Sequence, residues 1–148
     1  MTILSEFIKL IVEQETKKID VYRGMTDVTL IYLSKVMKQP LPKEGGSVNV
    51  DINISVSKMG WWSNNKRFAL VYAITSPVNV TKHEEGQQKY DALLYGEVIL
   101  PAELSVETGG LAHILRAQNA IIHVTKIVFV PMLGDTKTRE QNLSNYGI

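Results

Sequence analysis

Val48-Asn49-Val50-Asp51-Ile52-Asn53-Ile54-Ser55-Val56-Ser57 alternates apolar and polar side chains without a miss. A period of two sends every second side chain to the same side of a pleated strand. The run therefore predicts a β-strand with one dry face and one wet face. A strand of this kind belongs to a largely antiparallel sheet covered on one side, since parallel sheets are buried on both.

Downstream, three more segments read as strands. Residues 67–75 set Phe68, Leu70, Tyr72 and Ile74 on one face and Ala69, Val71 and Ala73 on the other, so a central strand covered twice is expected. Pro77 interrupts it, and Val78 to Thr81 continue it with a kink. Residues 90–100 and 120–130 form the other two, stopped by Pro101 and Pro131. Lys82 to Lys89 is a polar loop tip. Gly109-Gly110 followed by Leu111, Ile114 and Leu115 predicts a short helix.

Upstream, Leu4, Phe7, Ile8 and Ile11 fall at i, i+3, i+4 and i+7, which predicts an amphipathic helix over 3–19. Residues 26–38 suit a second helix through Leu30, Leu33, Val36 and Met37, against the β-forming run Val28 to Tyr32. Pro40, Pro42 and Gly45-Gly46 then break the chain. The expected fold is α+β, with one or two N-terminal helices on a mainly antiparallel meander of about four strands. Residues 1–133 form one domain, helical over 1–39 and β-rich over 47–133, and 134–148 form a polar tail.

Composition narrows the function classes. The 148 residues are 45% hydrophobic and carry a net charge of +1. The first 45 residues hold seven Lys/Arg and six Asp/Glu, so no basic arm hides behind the total. A duplex-binding surface needs a stripe of cations, which the chain lacks. Without cysteine there is neither a disulfide framework nor a thiolate metal site. No apolar run reaches the roughly 18 residues of a membrane span. The opening MTILSEFIKLIVEQE is acidic where a secretion signal is basic, so the expected location is cytoplasmic. The glycosylation patterns at Asn53, Asn79 and Asn142 are accordingly read as chance.

Catalytic signatures are missing: there is no serine elbow, no phosphate-cradling or dinucleotide glycine loop and no zinc-protease helix. His83, His113 and His123 lie on a loop, a helix and a strand, and none is spaced to share a metal with another, so neither metal nor cofactor is expected. His83-Glu84-Glu85 has acid–base chemistry available but sits at the most polar tip, where solvation is the simpler account. Asp51 reads as a solvent residue on the wet face.

Trp61 and Trp62 are the strongest functional signal. They lie at an expected hairpin tip, followed by Asn64, Asn65, Lys66 and Arg67, and the span from Lys58 to Arg67 carries three cations and no acid. Indoles beside cations anchor protein partners or stack nucleic-acid bases; the alternative is that one or both rings fold back and cap the sheet. These six residues are the candidate contact set.

Three stretches, VNVDINISVSK (48–58), KRFALVYAI (66–74) and IIHVTKIVFVPML (121–133), following an N-terminal helix, resemble the trypsin-co-occurring modules of bacterial conflict systems. The resemblance spans about half the chain and implies an accessory or adaptor role without catalysis. It carries no diagnostic residue, and 25–44 and 78–119 depart from it.

The chain is thus expected to be a non-catalytic binding or assembly module that forms a homo-oligomer or binds a protein partner. A single-strand nucleic-acid binder is the second reading, with Trp61 and Trp62 stacking bases while Lys58, Lys66 and Arg67 meet phosphates. An enzyme or small-ligand binder with a dispersed site is the third.

Overall fold

A computed structural model describes residues 3–4, 15–58, 61–75, 89–104 and 110–131. The elements run β1 (Thr16–Thr29), α1 (Leu30–Met37), β2 (Gly46–Ser55), α2 (Lys66–Thr75), β3 (Lys89–Pro101), α3 (Leu111–Ala117) and β4 (Ile121–Pro131). The four strands form one antiparallel sheet in the order β1-β3-β4-β2. The fold is α+β, as the alternation of 48–57 implies, but it is not a meander. Only β3 and β4 are neighbours in both sequence and space; every connection contains a helix, and those from β1 to β2 and from β2 to β3 also pass over intervening strands.

Two expected elements differ. Residues 67–75 are helical, not a central strand. A run that is apolar on every side carries neither period, and its capping residue decides the outcome. Asn65 Oδ1 accepts the Phe68 backbone N–H at 3.0 Å, and its own N–H donates to Ser63 Oγ at 3.0 Å. This is N-cap geometry. The stretch that was expected to end a long N-terminal helix, Thr16 to Ile19, instead opens β1. Ile3 and Leu4 are helical, while 5–14 lie outside the described residues. Within 26–38 the helix begins at Leu30, and Val28-Thr29 close β1.

The helix ends follow local backbone rules. After α3, Asn119 adopts φ 49°, Ala120 N–H donates to Leu115 O at 3.0 Å, and Asn119 N–H to Arg116 O at 3.0 Å. This is a Schellman closure, with Asn in the left-handed position that other side chains avoid. At the start of β2, Gly45 has φ 82°, and a Cβ there would meet Phe129 O and Pro131 Cδ at 2.8 Å. Glycine lets this turn lie against the end of β4.

One face of the sheet carries the main core. Val21, Leu94, Val98, Ile122, Val124, Ile127 and Phe129 pack there beneath Leu33 and Met37 of α1, Leu111 and Leu115 of α3, and Trp62. A single extra residue makes this possible in β4. Gly96 pairs with Val124 and Tyr95 with Lys126, leaving Thr125 unmatched and reversing the parity of the strand. Both Val124 and Ile127 therefore face the core. On the other face, α2 lays Leu70 against Val128 and Val130. In β2 the alternation is realised, but the core-facing members, including Ile52 and Ile54, are half-buried because β2 is an edge. Among the described residues no helix is long and apolar enough to cross a membrane. The polar tail 134–148 lies outside them.

Candidate functional site

The segment after β2 travels from one edge of the sheet to the other. Val56 N–H donates to Ala120 O at 3.2 Å beside the start of β4. At the far end Ser63 forms an isolated bridge with Tyr22, Tyr22 N–H to Ser63 O at 2.7 Å and Ser63 N–H to Tyr22 O at 2.9 Å. The segment thus supplies a short cover for the β1 edge. The expected hairpin tip is in fact this strand-to-helix crossing.

The two tryptophans separate. Trp62 is 4% exposed and belongs to the main core. Trp61 is 62% exposed, and the Arg116 guanidinium carbon lies 5.0 Å from its ring centroid. A cation over an indole face is attracted by the ring quadrupole, which favours this pose of the ring without burying it. Arg23 Nη1 donates to Trp61 O at 3.1 Å. Arg23 pairs with Leu94, so its aliphatic stem lies on the core side while its head reaches the rim. Beneath Trp61 is an apolar recess of about 70 Å³, walled by Trp61, Trp62, Phe68 and Ala69 over Arg23 and Gly24. Phe68 is 61% exposed and Val71 46% exposed, extending the apolar surface along α2.

The other expected contact residues disperse. Asn65 is committed to the cap described above. Asn64 Oδ1 is buried without a hydrogen-bond partner among the described residues. Lys66 Nζ lies 5.4 Å from the centroid of the Tyr95 ring. Arg67 is exposed. The sequence reading missed Arg23, Arg116 and Phe68. Arg23 left one trace, a charged residue at the third of the inward positions Ile19, Val21, Arg23 and Met25.

A second cluster crosses the outer face, one residue per strand in spatial order. Lys18 Nζ lies 3.3 Å from Glu97 Oε2, Glu97 Oε1 is 3.1 Å from His123 Nδ1, and His123 Nε2 is 2.6 Å from Asp51 Oδ1. Hydrogen bonds from the imidazole to the Glu97 and then the Asp51 carboxylate raise the His123 pKa above its ordinary value. The His123 and Lys18 bonds lower that of Glu97. With carboxylates at both ring nitrogens the imidazolium is favoured, and neither nitrogen is left to take a proton from a substrate. Asp51, expected to be a plain solvent residue, is exposed but bonded. His113 is exposed on α3, and His83 lies outside the described residues. Among the described residues no group of three His, Asp or Glu side chains is placed to hold a metal.

Beside this cluster lies an open groove of about 390 Å³ bordered by Tyr22, Tyr95, Glu97, Asn49 and Lys126. Tyr22 and Tyr95 meet edge-to-face at 5.5 Å, and Lys126 Nζ sits 4.1 Å from the Tyr95 ring. Lys18, Lys66 and Lys126 are interspersed with Asp20, Asp51 and Glu97, so this face offers no continuous positive track. Comparison of the chain with protein-family models, with curated proteins and with solved structures returned no match.

Proposed function

We propose that the chain is a non-catalytic binding module that takes a protein segment on the surface centred on Trp61. One observation carries this reading. Of two adjacent tryptophans, one is sunk in the core and the other is 62% exposed while in contact with Arg116 and Arg23. A large apolar ring kept in water and already biased to one pose loses less freedom on contact, which is the property of an interface anchor. Phe68 and Val71 enlarge the patch, and the recess gives a partner side chain somewhere to enter. The closed Asp51–His123–Glu97 array supports binding over acid–base catalysis. The placement of Lys66 beside the Tyr95 ring weighs against base stacking with phosphate contacts.

The test is selection of a displayed random-peptide library on immobilised full-length protein, run in parallel on Trp61→Ala. Enrichment that disappears with Trp61→Ala is expected. Identical enrichment on both proteins, or none on either, would overturn the reading.

Self-association is a second reading with its own observation. β2 lies at the sheet edge with no further strand beside it among the described residues, and an unpaired edge is a template for another chain. Light scattering during gel filtration should then show a mass above the monomer that falls in Asn49→Lys with Asn53→Lys. A mass indifferent to those changes removes this reading.

A further inference from the structure

We infer that the Trp61 surface is built for an acidic peptide segment that inserts one aliphatic side chain; this specifies the partner of the binding module proposed above. The size of the recess points to the anchor. Its volume is about 70 Å³, against roughly 150 Å³ for an apolar cavity that holds a benzene ring. The end of a valine, leucine or isoleucine side chain fills such a recess, whereas an aromatic ring or nucleobase would stand partly outside it.

The charges point to what flanks the anchor. Among the described residues Arg23 is the sole charged one lining the recess, its Nη1 bonded to Trp61 O, and no acid is among them. Arg116 lies over the Trp61 ring, and no carboxylate pairs with it among the described residues. A guanidinium presents its N–H groups in the forked geometry that a carboxylate matches, and a cation–π contact uses its charge without consuming those donors. Lys58 and Arg67 are exposed on either side of the tryptophans in the chain, and the sequence from Lys58 to Thr75 contains no acid. Glu97 and Asp51 cannot neutralise this surface, because they are engaged with His123 on the outer face of the sheet. The recess thus selects an aliphatic side chain, and its rim selects negative charge around it.

Nucleic acid shares the negative charge but fits less well. One exposed indole is a single stacking platform, Arg116 already covers one of its faces, and Lys66 serves Tyr95 instead.

The experiment uses the full chain and fluorescence anisotropy with labelled probes. These are a short Asp/Glu-rich peptide with one central leucine, the same peptide with serine for leucine, the same peptide with lysines for the acids, and an oligothymidylate. The acidic leucine peptide should bind at least roughly tenfold tighter than either altered peptide. Arg116→Glu and Trp61→Ala should each abolish that preference, while Arg116→Lys, which keeps charge but not the fork, should restore part of it. Salt should weaken binding. Trp61-dependent library peptides that are neutral or basic would overturn the acidic partner while leaving the binding module standing. Oligothymidylate binding that depends on Trp61 and Arg116 and exceeds that of the peptide would put nucleic acid in its place. No Trp61-dependent ligand of any kind would remove both.

Discussion

Trp61 and Trp62 are neighbours in sequence, yet alanine at the two positions should have opposite consequences. Trp62 is 4% exposed and packed in the main core with Val21, Leu111 and Leu115. A buried tryptophan removes about 150–250 Å² from water, worth roughly 4–6 kcal/mol at about 25 cal/mol per Å². Measured truncations of buried tryptophan and phenylalanine fall at about 3–5 kcal/mol, since neighbours relax into part of the cavity. A domain of this size loses roughly 2–4 °C of melting temperature per kcal/mol. Trp62→Ala should therefore melt about 6–20 °C below the wild type, a loss comparable to much of a marginal domain's stability of about 5–15 kcal/mol. Trp61→Ala forfeits a surface ring and one exposed cation–π contact, about 0.5–1 kcal/mol, and should melt within roughly 4 °C of wild type. Thermal melts followed by circular dichroism, with urea midpoints as a second measure, decide the matter. Equal losses in the two variants, or a larger one at Trp61, would refute the division into core and contact residues. The division also means that a double alanine variant confounds folding with binding, so the residues have to be changed singly.

The outer-face array predicts a pH response of defined sign. The raised His123 pKa contributes stability below the ordinary value of 6.5 that is lost as pH rises through the raised value; the lowered Glu97 pKa contributes above the ordinary 4.5 and is lost as pH falls through the lowered value. The array is thus fully effective between those two ordinary values, and the His123 ring resonance in an NMR titration should have a midpoint above 6.5 that falls in Glu97→Gln and Asp51→Asn. Gly96→Ala would place a Cβ 2.6 Å from Ile122 Cγ2, a methyl on a stiff β-branched side chain. It should cost about 1–3 kcal/mol in a urea titration. Asn65→Ala should cost about 0.5–2 kcal/mol through loss of the α2 cap, whereas Asn65→Asp should retain most of it; equal midpoints for the two would argue against capping.

How much of this was legible depends on how local the cause was. β2, β3, β4 and α3 announced themselves, because alternation, Pro101, Pro131 and the Gly109-Gly110 break act within a few residues. β1 did not, because its inward set is interrupted by Arg23 and its run by Gly24. α2 was misread because Arg67 to Thr75 has no polar face to reveal a period, and the deciding cap at Asn65 precedes the run. The separation of Trp61 from Trp62 and the meeting of Arg116 with Trp61 follow from the crossing between sheet edges. So does the gathering of Lys18, Glu97, His123 and Asp51, which depends on a strand order that no local spacing encodes.

That strand order has a consequence for the chain during synthesis. β1 and β2 occupy opposite edges and never touch, and both depend on a central pair supplied by the second half of the sequence. Thr16 waits for Pro101, and Gly46 for Phe129. A nascent chain that has delivered its first 75 residues therefore holds two strands and no sheet, with Val21, Val48, Val50 and Trp62 lacking the surface that will bury them. Contacts of such long sequence separation are slow to form and leave apolar segments exposed meanwhile. Fragments that stop before β3 should consequently be collapsed and sticky, not half-folded, and the sheet should form as one late event once β4 has emerged.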